Sequence, residues 1–142
     1  PPDTATEWTY LARRIAMTDT NQDEITGWHA HVYYTESSKP NAEALREAME
    51  ARFPAATMGR WHDKPVGPHP MWSYQVAFEP ALFGEIVPWL SLHHGDLTVL
   101  VHPLTGHLVR EHTTNAMWMG TPQTLDVDML RRAEEKRAKD AG

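Results

Sequence analysis

The stretch from residue 28 to residue 34 reads Trp28-His29-Ala30-His31-Val32-Tyr33-Tyr34, and it is rich in aromatic and β-branched residues. Such a composition predicts a β-strand. Side chains alternate between the two faces of a strand, so Ala30, Val32 and Tyr34 are expected together on one face. The same alternation puts His29, His31 and Tyr33 on the other face. The strand is therefore predicted to turn an apolar side towards a core and a histidine-bearing side away from it.

The residues that follow this strand alternate between helix and strand signals. A helix is predicted from about Pro40 to Phe53, because proline suits a first helical turn and Pro54 ends the apolar stripe. Two strands are expected over residues 56–61 and 71–78. The loop between them, from residue 62 to residue 70, is stiffened by three prolines. A second helix opens at Pro80, and a fourth strand is expected over residues 97–102.

The order β-α-β-β-α-β predicts an α+β ferredoxin-like sandwich. We expect a four-stranded antiparallel sheet in the spatial order 4-1-3-2, with both helices on one face and the other face open. Strands 1 and 3 are expected to run parallel at the centre, with strand 4 antiparallel beside strand 1. Because an uncovered sheet face tends to be buried against a partner, we also predict a homodimer.

The two ends of the chain are interpreted separately from this core. Residues 1–26 are predicted to be an N-terminal appendage that contains a short amphipathic helix with Trp8, Leu11 and Ile15 on one side. Residues 27–142 are predicted to form a single domain. A further short strand is expected over residues 107–112. From about Asp126 a highly charged helix is expected, and its nearly balanced charges indicate a solvated face and not a binding site.

The composition excludes several classes of protein. The 142 residues contain no cysteine, which excludes disulfide scaffolds, thiolate metal sites and cysteine nucleophiles. A formal charge of −6 without a basic block before the C-terminal helix argues against a nucleic-acid surface. No stretch approaches the ~18 apolar residues of a membrane span, so no membrane partner is expected. A cytoplasmic location is consistent with these features.

Nine histidines are the unusual feature of this composition. In the predicted topology the start of strand 1, the entry to strand 3 and the exit of strand 4 lie at one end of the sheet. These places carry His29 with His31, His69, and His102 respectively. Neutral imidazole is the commonest metal-binding side chain in proteins, so the pattern predicts an open metal site at that end.

Three other groups of residues are weaker candidates. His112 could fold back towards His102, whereas His62, His93, His94 and His107 are expected in solvated turns or at a helix end. Trp72 and Trp118 could line a pocket for an aromatic ligand. A carboxylate could complete a site of two histidines and one carboxylate. The candidates for that role are Glu36, Asp63, Glu79, Asp96 and Glu111.

Four motifs in the same order resemble the DOPA 4,5-dioxygenase family of fungi and bacteria. The resemblance covers roughly residues 25–128, and the termini lie outside it. The motifs are His29-Ala30-His31-Val32-Tyr33-Tyr34, Pro65-Val66-Gly67-Pro68-His69-Pro70, Leu100-Val101-His102-Pro103-Leu104-Thr105-Gly106 and Trp118-Met119-Gly120.

The resemblance implies a ferredoxin-like fold, a dimer, and a non-haem Fe(II) extradiol dioxygenase that opens the catechol ring of L-DOPA with O2. Zn or Ni are alternative occupants of the metal site after purification. Carried over by position, His31, His69 and His102 are expected around the metal. His29, His69 and His112 are expected to act in catalysis, with His69 able to take either role. The natural catechol and the position of ring cleavage stay open.

Two other functions are consistent with the same sequence. One is a non-catalytic protein of the same fold that holds a metal or a small aromatic ligand. The other is a dimerisation domain whose histidines are incidental, and it predicts an apolar open face. His29, His31, Tyr33 and His102 make that face polar at one end, which argues against the second alternative.

Overall fold

The computed structural model describes residues 4–18 and 24–142, with side chains described for residues 4–13 and 24–142. The helices of the described chain are α1 (Ala5–Thr18), α2 (Lys39–Arg52), α3 (Phe83–His93), α4 (Leu108–His112) and α5 (Val127–Ala141). The strands are β1 (Gly27–Tyr34), β2 (Thr57–Met58), β3 (Trp72–Phe78), β4 (Thr98–Leu104) and β5 (Met117–Met119). A 3-10 turn over Pro80–Leu82 leads into α3. The predicted order β-α-β-β-α-β is confirmed within this series.

The sheet has the strand order β2-β3-β1-β4-β5, and every neighbouring pair is antiparallel. The predicted spatial order of the first four strands is confirmed. Two details of the prediction are wrong: the sheet has five strands instead of four, and β1 and β3 run antiparallel instead of parallel. Since α2 carries the chain across the sheet, β2 runs in the same direction as β1. The intervening β3 therefore opposes both.

The main core lies between the sheet and helices α2 and α3. Ala30, Val32 and Tyr34 of β1 are buried in it, which confirms the predicted apolar face of that strand. Helix α2 contributes Ala42, Leu45 and Met49, spaced at three and four residues so that they share one side. Helix α3 contributes Ile86 and Leu90 in the same way. This packing leaves His29, His31 and Tyr33 on the opposite face of the sheet.

The segment after β4 forms a helix, so the strand predicted over residues 107–112 is wrong. Glu111 Oε2 accepts hydrogen bonds from the backbone N–H groups of Thr105 and Gly106, at 2.5 and 2.8 Å. These bonds hold the turn at the end of β4 against helix α4. The chain then reverses, and β5 pairs antiparallel with β4 as the fifth strand.

The face opposite α2 and α3 is covered at its histidine-bearing end by the chain itself. The backbone N–H of Asp126 donates to the carbonyl of Pro68 at 3.0 Å, which ties the start of α5 to the loop before β3. Helix α5 packs against α4, and its Leu130 is buried. Asp126 caps α5 by accepting from the Met129 N–H at 3.0 Å. The predicted open face and the purely solvated C-terminal helix are therefore wrong at this end.

Helix α1 begins with a reciprocal capping box between Thr4 and Glu7. The predicted helix is thus confirmed, although the Ile15 side chain lies outside the described residues. Trp8 and Leu11 are exposed, with 56% and 38% of their surface accessible. The division into an appendage of residues 1–26 and one domain stays a prediction. Within the described ranges, none of the helices is long and apolar enough to cross a membrane.

Gly120 ends β5 with a φ of +80°, a conformation that favours glycine. A Cβ placed there would lie 3.2 Å from the carbonyl oxygen of Leu97. We expect Gly120→Ala to lower the free energy of unfolding by about 1–3 kcal/mol. Urea denaturation followed by circular dichroism measures the change.

Gly84→Ala is the matched control, because Gly84 lies in α3 at negative φ, and its added Cβ would meet nothing within 4 Å among the described residues beyond its chain neighbours and the backbone of its own helix. We expect that control to be neutral or slightly stabilising. Equal losses of stability in the two variants would contradict the strain assigned to Gly120.

Candidate metal centre

Five histidines from four different parts of the fold meet on the sheet face opposite α2 and α3. His29 and His31 come from β1, and His102 comes from β4 directly opposite His29 in the strand register. His112 belongs to α4, and His69 belongs to the loop before β3. The structure therefore brings together all five histidines that the sequence singled out.

His29, His31 and His102 form a triangle. Their ring centroids are separated by 5.7 Å (His29–His31), 5.3 Å (His29–His102) and 5.1 Å (His31–His102). One nitrogen from each ring lies within 4.8 Å of the other two. The Nε2 atoms of His31 and His102 are 3.0 Å apart. Two imidazoles from β1 and a third from the paired position on β4 can bind a single ion.

The two remaining histidines lie next to two different corners of this triangle. The ring of His69 lies 4.2 Å from that of His31, and the ring of His112 lies 4.0 Å from that of His102. Their own centroids are 6.4 Å apart. A molecule bound beside the triangle would therefore have an imidazole close to it from α4 and another from the loop.

His69 reaches the cluster by a route that differs from the predicted one. Because β1 and β3 are antiparallel, the entry to β3 lies beside Tyr34, at the opposite end of β1 from His29. The proline-rich loop runs back across the sheet face and carries His69 to the ring of His31. The backbone N–H of His69 donates to the carbonyl of Val66 at 3.0 Å, which helps to fix this path.

Hydrogen bonds at Nδ1 determine which ring nitrogen carries the proton, and which the lone pair, in three of the histidines. Nδ1 of His102 lies 3.0 Å from the Pro103 carbonyl, and Nδ1 of His112 lies 2.8 Å from the Leu108 carbonyl. Because a carbonyl can only accept, Nδ1 carries the proton in both rings and Nε2 keeps its lone pair.

His69 has the opposite tautomer, with its proton on Nε2. Its Nδ1 lies 2.5 Å from the hydroxyl of Tyr33, a side chain with 1% of its surface exposed. In the described part of the chain the Tyr33 hydroxyl has no other hydrogen-bond partner, so its proton is satisfied only by donation to Nδ1 of His69. This assignment leaves the proton of His69 on Nε2.

Burial keeps the cluster neutral. Desolvation, followed by the charges of neighbouring imidazoles, lowers the pKa of His69 to about 4 and that of His102 to about 3. The same two causes hold the pKa of His31 well below its ordinary value and lower that of His29. Desolvation also lowers the pKa of His112. Neutral imidazoles are the form that binds divalent metals.

Among the candidate carboxylates, only Glu111 lies in a group of potential metal ligands within the described ranges, and its partners there are His102 and His112. Its Oε2 atom already accepts from Thr105 and Gly106. Asp63 instead pairs with Lys39 and accepts from Tyr34, at 2.7 and 2.8 Å. The structure does not bring Glu36, Asp63, Glu79 or Asp96 into such a group.

A cavity of about 470 Å³ opens in front of the histidines. Gln75 and the five imidazoles line its polar side, while the apolar side comes from α4, α5 and the ends of nearby loops. This volume suits a small organic ligand. The apolar and cationic residues of this wall include Leu104, Leu108, Met129, Leu130, Ala133 and Arg137.

Helix α5 contributes to the cavity, although the sequence predicted it only as a solvated helix. Met129, Ala133 and Arg137 are spaced four residues apart and so share the side of the helix that lines the cavity. This spacing could have indicated a buried side, but the nearly balanced charges of the helix favoured the prediction of a solvated one. The two tryptophans proposed as pocket residues do not line the cavity. The ring of Trp72 contacts Tyr34 on the core side, and that of Trp118 contacts Tyr33.

The chain resembles known proteins over most of its length. The sequence profile of the Dopa 4,5-dioxygenase family matches residues 28–129. The chain is 36% identical over 119 residues to an uncharacterized 21.2 kDa protein of Botryotinia fuckeliana, with 76% of this chain and 65% of that protein covered. It is 32% identical over 115 residues to DOPA 4,5-dioxygenase of Amanita muscaria, with 75% and 50% covered. The chain thus spans about two thirds and one half of these relatives.

A solved structure shows a similar fold at higher sequence identity. This is the crystal structure of a protein of Nostoc punctiforme named a "putative dioxygenase", which is 44% identical to this chain. The two superimpose with a TM-score of 0.79 over 81% of this chain and 99% of the other. Unlike the two fungal relatives, this bacterial protein is matched over nearly its whole length.

Proposed function

The chain belongs to the Dopa 4,5-dioxygenase family, and we propose on that basis that it is an extradiol dioxygenase that opens the ring of a catechol such as L-DOPA with O2. The observation that carries the proposal is the triangle of His29, His31 and His102, whose ligand atoms lie within 4.8 Å of one another. Both oxygen atoms of O2 enter the product, so the reaction needs no external reductant.

The donor set fits a divalent metal. The 3.0 Å between Nε2 of His31 and Nε2 of His102 can be spanned by one shared proton or by one shared cation. Two nitrogens that bind one ion at right angles, each at about 2.1 Å, lie about 3.0 Å apart. We propose His29 as the third ligand because of this geometry, in place of the His69 that the family resemblance suggested.

Ferrous iron is the metal that we propose for this site, since three imidazoles leave open positions for both a catechol and O2, and iron supplies the redox chemistry of oxygen insertion. The absence of cysteine removes the thiolate ligands that favour structural zinc. The buried and neutral imidazoles need not lose a proton before they bind a cation.

His112 and His69 are proposed as the groups that move protons. Nε2 of His112 carries a lone pair and can accept a proton from a catechol hydroxyl. Nε2 of His69 carries a proton, placed there by Tyr33, and can donate it to the oxygen on which negative charge develops. Both rings line the cavity, with His69 beside His31 and His112 beside His102.

Oxygen uptake tests this function. The protein is loaded anaerobically with Fe(II), and catechols including L-DOPA are added with O2. We expect stoichiometric O2 consumption and a ring-opened product, detected by its absorbance and by mass spectrometry with ¹⁸O2. The metal-free protein with the same substrates is the control.

Uptake no greater than that control would contradict the enzymatic proposal. Tight binding of Fe(II) and catechol without uptake would favour the alternative, a non-catalytic protein that holds a metal and an aromatic ligand. The homodimer stays a prediction. Less of the sheet face is open to a partner than expected, because α5 and the loop before β3 cover its histidine-bearing end.

A further inference from the structure

Arg137 is the lone Lys or Arg side chain among the residues that line the histidine cavity. It projects from the last turns of α5, on the same side of the helix as Met129 and Ala133. Across the described part of the chain its guanidinium makes no hydrogen bond or ion pair, although Arg131 of the same helix pairs with Asp128 at 2.9 Å. The cavity therefore has an unpaired positive charge at one wall.

The charge of Arg137 acts on His112, one of the imidazoles that line the cavity. Burial is the main cause of the lowered pKa of His112, and the positive charge of Arg137 adds to it. Apart from Arg137, His112 and Glu111, the residues of α4 and α5 that line the cavity are apolar, among them Leu108, Met129 and Ala133. An aromatic ring lying on that wall could have its hydroxyl groups near the histidines and an anionic substituent near Arg137.

The cavity has no comparable partner for a positive charge. Glu111 is its one carboxylate among the lining residues, and Oε2 of Glu111 accepts three hydrogen bonds from Thr105 and Gly106. Glu111 is also only 2% exposed, and these bonds already offset part of the negative charge of its carboxylate. The electrostatics of the wall thus favour an anionic ligand over a cationic one, even though the whole chain is acidic.

We propose that Arg137 binds a carboxylate on the substrate, so that this protein prefers catechols with an anionic side chain. The inference rests on the proposed catechol dioxygenase function and specifies its substrate class. It implies that the amino group of L-DOPA contributes little to recognition. The carboxylate would dock by a charge-assisted and geometrically bidentate contact, which arginine forms better than lysine.

Equilibrium binding tests this without turnover. The zinc-loaded protein is titrated by calorimetry in the absence of O2 with dihydroxyphenylpropionate, 4-ethylcatechol and dopamine. We expect the carboxylate to bind about three- to tenfold tighter than 4-ethylcatechol, because a bidentate arginine–carboxylate contact contributes more than an ordinary exposed ion pair. Dopamine should bind no better than 4-ethylcatechol. The same ranking is expected in kcat/KM of the iron-loaded enzyme.

Arg137→Gln should reduce the preference for the carboxylate to within about twofold, and Arg137→Lys should retain part of it. Arg132→Gln is the matched control, since Arg132 is an exposed arginine of the same helix that does not line the cavity. An unchanged preference in Arg137→Gln, or no preference in the wild type, would overturn this inference and leave the dioxygenase function standing. Failure of every catechol to bind or react would overturn both.

Discussion

His102→Ala is expected to remove most of the bound metal and nearly all turnover while the fold persists. His102 lies at the centre of the cluster, with Nε2 3.0 Å from that of His31 and its ring near those of His29 and His112. Residues that merely support a ligand typically contribute 10–100-fold to metal affinity, so loss of a ligand should cost about 100-fold or more. Metal content after dialysis against a buffered Fe(II) or Zn(II) solution measures the effect.

The fold should survive this change because the site lies on the face of the sheet opposite the main core. His102 is 1% exposed, so the smaller side chain leaves a cavity and a modest loss of stability is expected. Circular dichroism and thermal unfolding check this, and His102→Asn is a second variant that keeps more of the volume. His93→Ala is the matched control, since His93 is exposed at the end of α3. Full metal occupancy in a folded His102→Ala protein would contradict the ligand assignment.

His29→Ala and His69→Ala are both expected to lose activity, but for different reasons. His29 belongs to the triangle whose ligand atoms lie within 4.8 Å, so its loss should reduce metal occupancy and activity together. His69 keeps its proton on Nε2 through the bond from Tyr33, so its loss should leave the metal in place. Loss of one proton-transferring side chain typically lowers turnover by about 10²–10⁴-fold. Metal analysis of both variants, combined with kcat per bound iron, separates the two roles.

The reverse outcome would restore the assignment that the family resemblance suggested. If His69→Ala loses the metal and His29→Ala keeps it with reduced kcat, then His69 is the third ligand and His29 the proton-transferring group. If His69→Ala retains both metal and full turnover, the proton-donor role is wrong. His93→Ala is a suitable control for both variants, because His93 is exposed at the end of α3 and does not line the cavity.

Local sequence patterns were sufficient for the strands and helices that build the core. The alternation in Trp28–Tyr34 predicted which side chains of β1 face the helices, and the observed burial of Ala30, Val32 and Tyr34 confirms it. The same alternation placed His29 and His31 on the opposite face together. These features depend on a period of two or of about 3.6 residues, which is readable from a few neighbouring residues.

Contacts between distant parts of the chain decided the rest of the site. The loop before β3 returns His69 across the sheet, where Tyr33 holds it, although the strand directions alone would leave it at the far end. The bond from Asp126 to Pro68 and the packing of α5 on α4 close the cavity, while the charges of α5 predicted only a solvated helix. The local pattern thus determined which histidines share a face. Tertiary docking decided what encloses them, because the energy of such contacts depends on residues that no local periodicity connects.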